Sequence, residues 1–380
     1  GSDLVTNGDF SAAGINLVDN PNFTDGVEQL TQPIDLTIDF VTNAGGVIVD
    51  ANTFTTAGGG VDGIVNKVTE WILVEGNSYK LVIEGSTTSS GFTIGNYLNG
   101  DEYGTGFGTH YFVAEGGVYA TRLWIRQQTA GTTDLTTFTI EELGADWNLG
   151  TGWSIGDSEA VCDGTQVANS NLYQAVYTIS NSYKTTIDVI VTAGTLYVYT
   201  GTPSQTITIT SSGTYDFSGA SSSSSTLYIQ APVGFSGSVT NISVQELGEG
   251  WTLGTGWSIG EDVAISDGSV GSITQSILSA DVFYKIRVIV TGNPTLLVFS
   301  STSFYGDEAA RTLKNGTHNY YLQAKVAAFS ITNEGGDACT ITNISTEQLD
   351  PNDYWTLGTG WSIGDTKAIS TVTGSNSDIT

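Results

Sequence analysis

Positive charge is what this chain has least of: 11 lysines and arginines stand against 39 aspartates and glutamates, for a formal charge of −28. Nucleic acid and anionic bilayers both recruit cationic surfaces, so neither nucleic-acid binding nor membrane insertion is expected. The acidic surplus reads chiefly as a solubility device, with calcium the one ion that carboxylates and backbone carbonyls would select. No apolar run reaches the ~18 residues needed to cross a bilayer, and no charged-then-apolar leader opens the sequence. Gly1 and Ser2 read as a cloning scar or an internal start. Histidine and cysteine number two each: His110, His318, Cys162 and Cys339. They fall at unrelated positions of different repeats, which leaves no Ser-His-Asp, Cys-His or metal-ligand spacing and no expected disulfide. A glycosidase needs only two carboxylates, yet the repeats share no acidic cluster. Asp163 and Asp267 each precede a glycine, where an Asx turn explains them. The chain is therefore expected not to be an enzyme and to need no cofactor.

Proline is also scarce, at 6, and no stretch keeps a helical or heptad period, whereas Gly reaches 48 and Ser, Thr, Val, Ile and Tyr fill the rest. That mixture favours short strands and tight turns, hence an all-β protein. The length of 380 residues predicts two to four domains. Six of the eight tryptophans lie in one repeated phrase, "WNLGTGWSIG" at 147–156 and "WTLGTGWSIG" at 251–260 and 355–364. The interval is 104 residues both times (251 − 147 and 355 − 251), too long for a solenoid repeat of ~20–50 residues and right for a small domain with its own core. Related text closes each unit ("FTIEEL" at 138–143, "NISVQEL" at 241–247, "NISTEQL" at 343–349), and a Tyr-Lys pair opens an alternating β-branched segment within it at Tyr79, Tyr183 and Tyr284. Only a few polar residues separate the units, so the linkers should restrict motion. The expected organisation is a longer sandwich over 1–145, repeats over 146–249 and 250–351, and the first strands of a further copy over 352–380. Two strands cannot close a sandwich, so that last piece is expected either to need further chain or to complete a sheet of the third unit or of another subunit. The tryptophans are expected in the cores, with Gly-Thr-Gly forming a corner between them. "LVTNGDF" at 4–10 is echoed by "LVDNPNF" at 17–23, an offset of 13 (17 − 4). One of these openers is expected to be the first strand of the first unit, and the other a remnant or a strand offered to a neighbouring chain.

The phrase "WTLGTGWSIGEDVAISDG", with the "LVTNGDF" opener and the closing "NISVQEL", resembles the carbohydrate-binding-module-like, galactose-binding-like β-sandwiches found in bacteriophage virion proteins. The resemblance covers nearly the whole chain, unit by unit. It implies tandem jelly-roll β-sandwich modules joined by short linkers, as in tail fibres, head fibres or decoration proteins. It also implies a structural ion near the first and last strands, for which Asp9, Asn20, Asp25 and Glu141 are the candidates. The first unit departs from the pattern. It lacks the GTGW strand and carries "FTIGNYLNGDEYGTGFGTHYF" at 92–112, read as an insertion that the later units do not match.

A sugar ring offers apolar C–H faces and hydroxyls, so a glycan site needs flat aromatics beside polar donors and acceptors. The 92–112 segment supplies Tyr97, Asn99, Asp101, Tyr103, Phe107, His110 and Tyr111, spaced by glycines. The alternative is a loop packed by its own aromatics or against a neighbouring subunit. The sequence thus predicts a non-enzymatic virion-surface or extracellular protein, homo-oligomeric, whose partners are virion proteins and a cell-surface polysaccharide. Two other readings stand beside it: a glycan-targeting array of a secreted polysaccharide-degrading enzyme, and a purely structural fibre protein.

Overall fold

A computed structural model of the protein describes residues 4–379 apart from 6–7, 11–12, 25, 30–34, 59–61, 68–72, 97–101, 118–120, 201–205, 221–222, 296, 306–311, 350–354, 364–366 and 372–377. Three tandem jelly-roll β-sandwiches, joined by short linkers, fill residues 26–349, each around its own apolar cluster. In the second bead one sheet runs in the order Trp153–Ile155, Ala160–Cys162, Ser236–Leu247, Ser182–Ala193, Gly213–Ala220. The facing sheet runs Asn148–Leu149, Ser170–Ala175, Thr226–Ala231, Leu196–Thr200, Thr206–Ile209. Strict alternation builds these sheets: in Leu196–Thr200 the residues Leu196 and Val198 are buried while Tyr197 and Tyr199 face outward.

The first and third beads have the same two sheets in the same strand order, which corrects two expectations. The strand that the first bead was expected to lack is present as Gly46–Ile48, paired with Thr53–Thr56, without its tryptophans. Nor is 92–112 an insertion. Its strands Phe92–Asn96, Glu102–Thr105 and Gly108–Val113 take the places that Leu196–Thr200, Thr206–Ile209 and Gly213–Ala220 take in the second bead. The backbone pairing is kept while the side-chain text diverges, so the likeness does not show in the sequence.

The repeated phrase crosses from one sheet to the other. Trp147 and Trp153 are 4% and 3% exposed, Trp251 and Trp257 8% and 5%, so these four indoles are core. The crossing needs a left-handed residue, supplied by Gly152 and Gly256 at φ 82° and 74°. Asp163 and Asp267 each accept a hydrogen bond at 2.8 Å from the amide two residues on, Thr165 and Ser269, as Asx turns. The two cysteines are free and buried. Their positions are more closely related than the sequence suggests: Cys162 faces Gly237 across one strand pair, and Cys339 faces Ser266 across the equivalent pair of the third bead.

One joint is used twice. The Ser78 hydroxyl accepts from the Ile155 amide and the Ser182 hydroxyl from the Ile259 amide, both at 2.8 Å, with both serines fully buried. Beside each contact a glycine at positive φ, Gly144 or Gly248, lies against the same isoleucine, where a β-carbon would collide. Beside each, too, an asparagine braces a carboxylate, Asn77 to Glu142 at 2.7 Å and Asn181 to Glu246 at 3.0 Å. The third bead carries Val282, Phe283 and Gln348 at the corresponding places. A cleft of about 490 Å³ opens there, lined by Phe283, Leu349, Trp355 and Trp361 among others. In the final segment Trp361–Ile363 pairs with Ala368–Ser370.

The openers go where the sequence did not place them. Residues 17–23 dock on the second bead: the Leu17 amide donates to Val244 O at 2.7 Å, the Ile242 amide to Pro21 O at 3.1 Å, and Phe23 packs on Trp147 with ring centroids 5.2 Å apart. Residues 4–5 and 8–10 dock on the third: the Leu4 amide donates to Thr346 O at 2.8 Å, the Ile344 amide to Gly8 O at 2.7 Å, and Phe10 packs on Trp251 at 5.5 Å. The first bead's own edge strand is Gly26–Glu28, paired with Gly131–Leu143. Neither opener is the first strand of the first bead, because each phenylalanine requires the tryptophan that only the later beads possess.

Replacing Ser182 by alanine leaves the buried Ile259 amide without its acceptor, and the lost bond should cost about 1–3 kcal/mol. Chemical denaturation of the full chain is expected to show that loss for Ser182→Ala and for Ser78→Ala. A change within experimental error at both sites would contradict the joint described here.

Candidate functional site

Of the seven aromatic and polar residues proposed from sequence, Tyr97, Asn99 and Asp101 lie outside the described residues. Tyr103 stacks on Phe112 at 4.2 Å, and Phe112 stacks in turn on the buried Tyr79 at 5.6 Å. The Tyr103 hydroxyl accepts from the Glu115 amide at 3.0 Å. Phe107 meets Phe92 edge to face at 4.9 Å. His110 Nε2 lies 3.0 Å from Gly106 O, closing its own hairpin turn. Tyr111 reaches into the next bead, where its hydroxyl donates to Asp157 Oδ1 at 3.1 Å. Burial, and then that bond to the carboxylate, push the Tyr111 phenol upward. Within this hairpin the described side chains are engaged in packing and in the joint between beads.

A different aromatic surface lies on the second bead. The outward residues of its Asn148-containing sheet form two rows in register. One runs Asn148, Tyr173, Tyr228, Tyr199, Thr206, and the other Asn171, Gln230, Tyr197, Thr208. With strands ~4.8 Å apart, the five-residue row is about 19 Å long. Tyr173 and Tyr228 lie 5.3 Å apart, tilted by 33°. The Gln230 amide ties the rows together: Oε1 accepts from the Tyr199 hydroxyl and from Asn169 Nδ2, each at 3.1 Å, and Nε2 donates to Asn171 Oδ1 at 3.1 Å. Beneath the rows Leu172, Val198, Leu227 and Ile229 are fully buried, so the tyrosines rise from a rigid base. The row residues named here carry no formal charge on a chain of −28.

A cleft of about 460 Å³ adjoins the Tyr173 end of the row and is lined by Asn148, Gln166, Asn171 and Tyr173 among others. Ser170 lines it too, with a buried hydroxyl that has no hydrogen-bond partner. Val167 lies at its rim, 92% exposed. The site is thus a half-buried aromatic strip, a fixed amide at its centre, and a polar cleft at one end. That arrangement can stack on apolar ring faces and exchange hydrogen bonds with hydroxyls.

The other beads do not repeat it. The matching rows of the third bead hold Thr252, Thr274, Ser272 and Thr332, with Ser330 buried and a buried Val298 in the place of Tyr197. The first has Trp124 in the matching row, but that indole is 4% exposed with the Arg126 guanidinium 5.0 Å above it. The signal that could have revealed the strip is period two in "NLYQ", "LYVYT" and "TLYIQ", where tyrosine alternates with Leu, Val or Ile. Taken singly, each looks like ordinary strand text.

For the ion implied by resemblance, the described residues do not converge. Asp9 lies on the opener bound to the third bead, Asn20 on the opener bound to the second, and Glu141 on the first bead beside Lys80 at 3.6 Å; Asp25 is outside the described residues. Among the described residues no group of three or more His, Cys, Asp or Glu could hold a metal. The two histidines stay in separate beads, with His318 Nε2 2.6 Å from Lys314 O. Among the described residues no helix is long and apolar enough to cross a membrane.

No family model and no curated protein matches the sequence. Among solved structures, the N-terminal CBM22-1–CBM22-2 tandem domain of Paenibacillus barcinonensis Xyn10C is similar over 62% of this chain and 99% of its own, at 10% identity and a TM-score of 0.23. A protein described by the triple jelly roll fold and turret assembly of an archaeal virus is similar over 88% of this chain and 94% of its own, at 14% identity and a TM-score of 0.21. Likenesses at this level say nothing of ligand or partner.

Because Asp9, Asn20 and Glu141 belong to three different beads, the melting temperature should be the same with and without a chelator. A drop on chelation, reversed by calcium, would show that an ion is bound after all.

Proposed function

We propose that the chain is a non-enzymatic virion-surface protein that attaches to a neutral cell-surface polysaccharide through the tyrosine strip of its second bead. The observation that carries the reading is the strip itself: Tyr173, Tyr228 and Tyr199 in one row, Tyr197 in the next, and Gln230 held between them by three hydrogen bonds. Stacking on such a strip takes up the apolar face of a pyranose, and the amides select its hydroxyls. A polyanionic glycan would meet the repulsion of a strongly acidic protein, which favours an uncharged ligand. The virion assignment rests on the tandem phrase and its resemblance to phage β-sandwiches. One shallow strip binds weakly, and many copies on one particle raise the effective strength without any new contact. The twice-used joint supports this by tying the bead that carries the strip to both of its neighbours. The hairpin around Tyr103 is assigned a structural role, since its rings already serve the first bead's core.

Tyr228→Ala, and separately Tyr199→Ala, should weaken binding to a neutral polysaccharide about tenfold or more, equivalent to ~1.4 kcal/mol, while leaving the melting temperature nearly unchanged. Tyr103→Ala should do the reverse. Affinity should hold between ~0.1 and ~1 M salt, because screening acts on charges and the strip has none. Calorimetry on the intact chain with a panel of neutral and acidic polysaccharides checks all of this. Binding that survives removal of both tyrosines, or that requires an acidic glycan, contradicts the proposal.

A further inference from the structure

The two openers bind their beads in one and the same way. Leu17 to Val244 and Leu4 to Thr346 are the same amide-to-carbonyl bond; Ile242 to Pro21 and Ile344 to Gly8 are the same return bond. Both return bonds use only the carbonyl of Pro21 or Gly8, but a β-carbon at Gly8 would collide with the Ile344 carbonyl oxygen, so the third groove requires glycine where the second holds proline. Phe23 and Phe10 are 1% and 0% exposed, and both sit at positive φ, 56° and 61°. A bulky residue holds that conformation only when its surroundings enforce it, and here the enforcing partner is the tryptophan that begins each repeated phrase. Trp355, in the final segment, is 56% exposed. In the second groove Asn16 adds a polar lock: its Oδ1 accepts from the Val244 amide at 2.9 Å and its Nδ2 donates to Ile242 O at 3.2 Å. Gln174 clamps Asp19 through two bonds of 2.9 and 3.1 Å.

Spacing ties the stations together. Ala13 stands opposite Leu247 in the second bead and Gly26 opposite Leu143 in the first, again an offset of 13 (26 − 13). Thirteen extended residues cover about 43 Å, and the 12-residue strand Ser236–Leu247 that one station follows covers about 40 Å. The N-terminal segment therefore advances one bead per 13 residues, against the direction in which the beads follow one another.

We propose that the second and third beads each carry a peptide-binding groove for the pattern L-V-x-N-x-x-F, and that the described residues of the chain's own two openers, 17–23 for the second bead and 4–5 with 8–10 for the third, fill both at once. The groove is the open edge of the bead's last strand together with the pocket over its first tryptophan. Its ligand is an extended peptide whose leucine pairs with the edge and whose phenylalanine caps the indole. The two grooves share backbone bonds and ring contacts but differ in selectivity, the third admitting only glycine two residues before the phenylalanine.

The test is hydrogen exchange on the full chain. Phe23→Ala should speed exchange of the Ile242 and Val244 amides at least tenfold and leave Ile344 unchanged, and Phe10→Ala should do the opposite. A synthetic peptide of residues 13–24 (AGINLVDNPNFT), added in excess, should restore protection of Ile242 in the first variant. In the second variant the same peptide with Pro21 changed to glycine should protect Ile344, whereas either peptide with its phenylalanine changed to alanine should protect neither amide. If Phe23→Ala unfolds the second bead, Asn16→Ala, which removes the bonds to Ile242 and Val244 and the local bond from the Val18 amide, carries the same comparison. Amides unaffected by the substitutions, or unprotected by the peptide, overturn the proposal. So does an exchange dimer in which a second copy fills the grooves of the unaltered chain. None of these readouts involves glycan, so failure here leaves the tyrosine strip untouched, and the reverse holds.

Discussion

The structure depends on how the edge of each bead's last strand is satisfied. A sheet edge left open exposes a row of amides and carbonyls and, in these beads, the flank of a buried tryptophan. The protein closes that edge with a strand from far away in sequence. Val244 and Thr346 are both met by residues among the first 23; Val18 and Phe23 join a core whose other buried members begin at Leu143, and Phe10 joins one whose other buried members begin at Leu247. One consequence is mechanical: a segment crossing successive beads, together with the Ser78 and Ser182 joints, opposes bending where bead meets bead. Another is positional, since whatever the second bead displays is held in a fixed attitude to its neighbours.

Much of the fold was legible because its signals are local. The 104-residue interval gave the beads. Trp153 and Ile155 on one face of a three-residue strand gave the core, the glycine before Trp153 gave the corner, and Asp163-Gly164 gave the turn. What escaped was non-local or masked by divergence. A 13-residue echo near the N-terminus holds no trace of strands more than 200 residues away, so in sequence one opener reads as the first strand of the first unit and the other as a remnant or a strand for a neighbouring chain. The strands of 92–112 read as an insertion in sequence because only backbone pairing, and not residue type, survives between beads. The dense aromatics there look like a binding loop in sequence. In space Tyr103 and Phe112 are stacked on the core, and Tyr111 spans the joint. The tyrosine strip is assembled from three strands 24 or more residues apart, each contributing an unremarkable alternation.

The strip differs from its surroundings in chemistry. Most of the outward surface of a protein this acidic repels anions, whereas the rows through Tyr228 and Gln230 present rings, amides and hydroxyls without charge. Its counterparts on the neighbouring beads are hydroxyl-bearing in one case and buried in the other. Shared framework and unshared surface are thus separate layers of the sequence: repetition marks what holds the beads up, and the proposed recognition rests on what one bead alone displays.

The most direct test of that claim is a titration of the intact protein with a neutral polysaccharide, followed through the ring resonances of its tyrosines by NMR. The account predicts shifts concentrated on Tyr173, Tyr197, Tyr199 and Tyr228, with Tyr103 and Tyr111 unmoved. Shifts at Tyr103 and Tyr111 with the strip silent would contradict it.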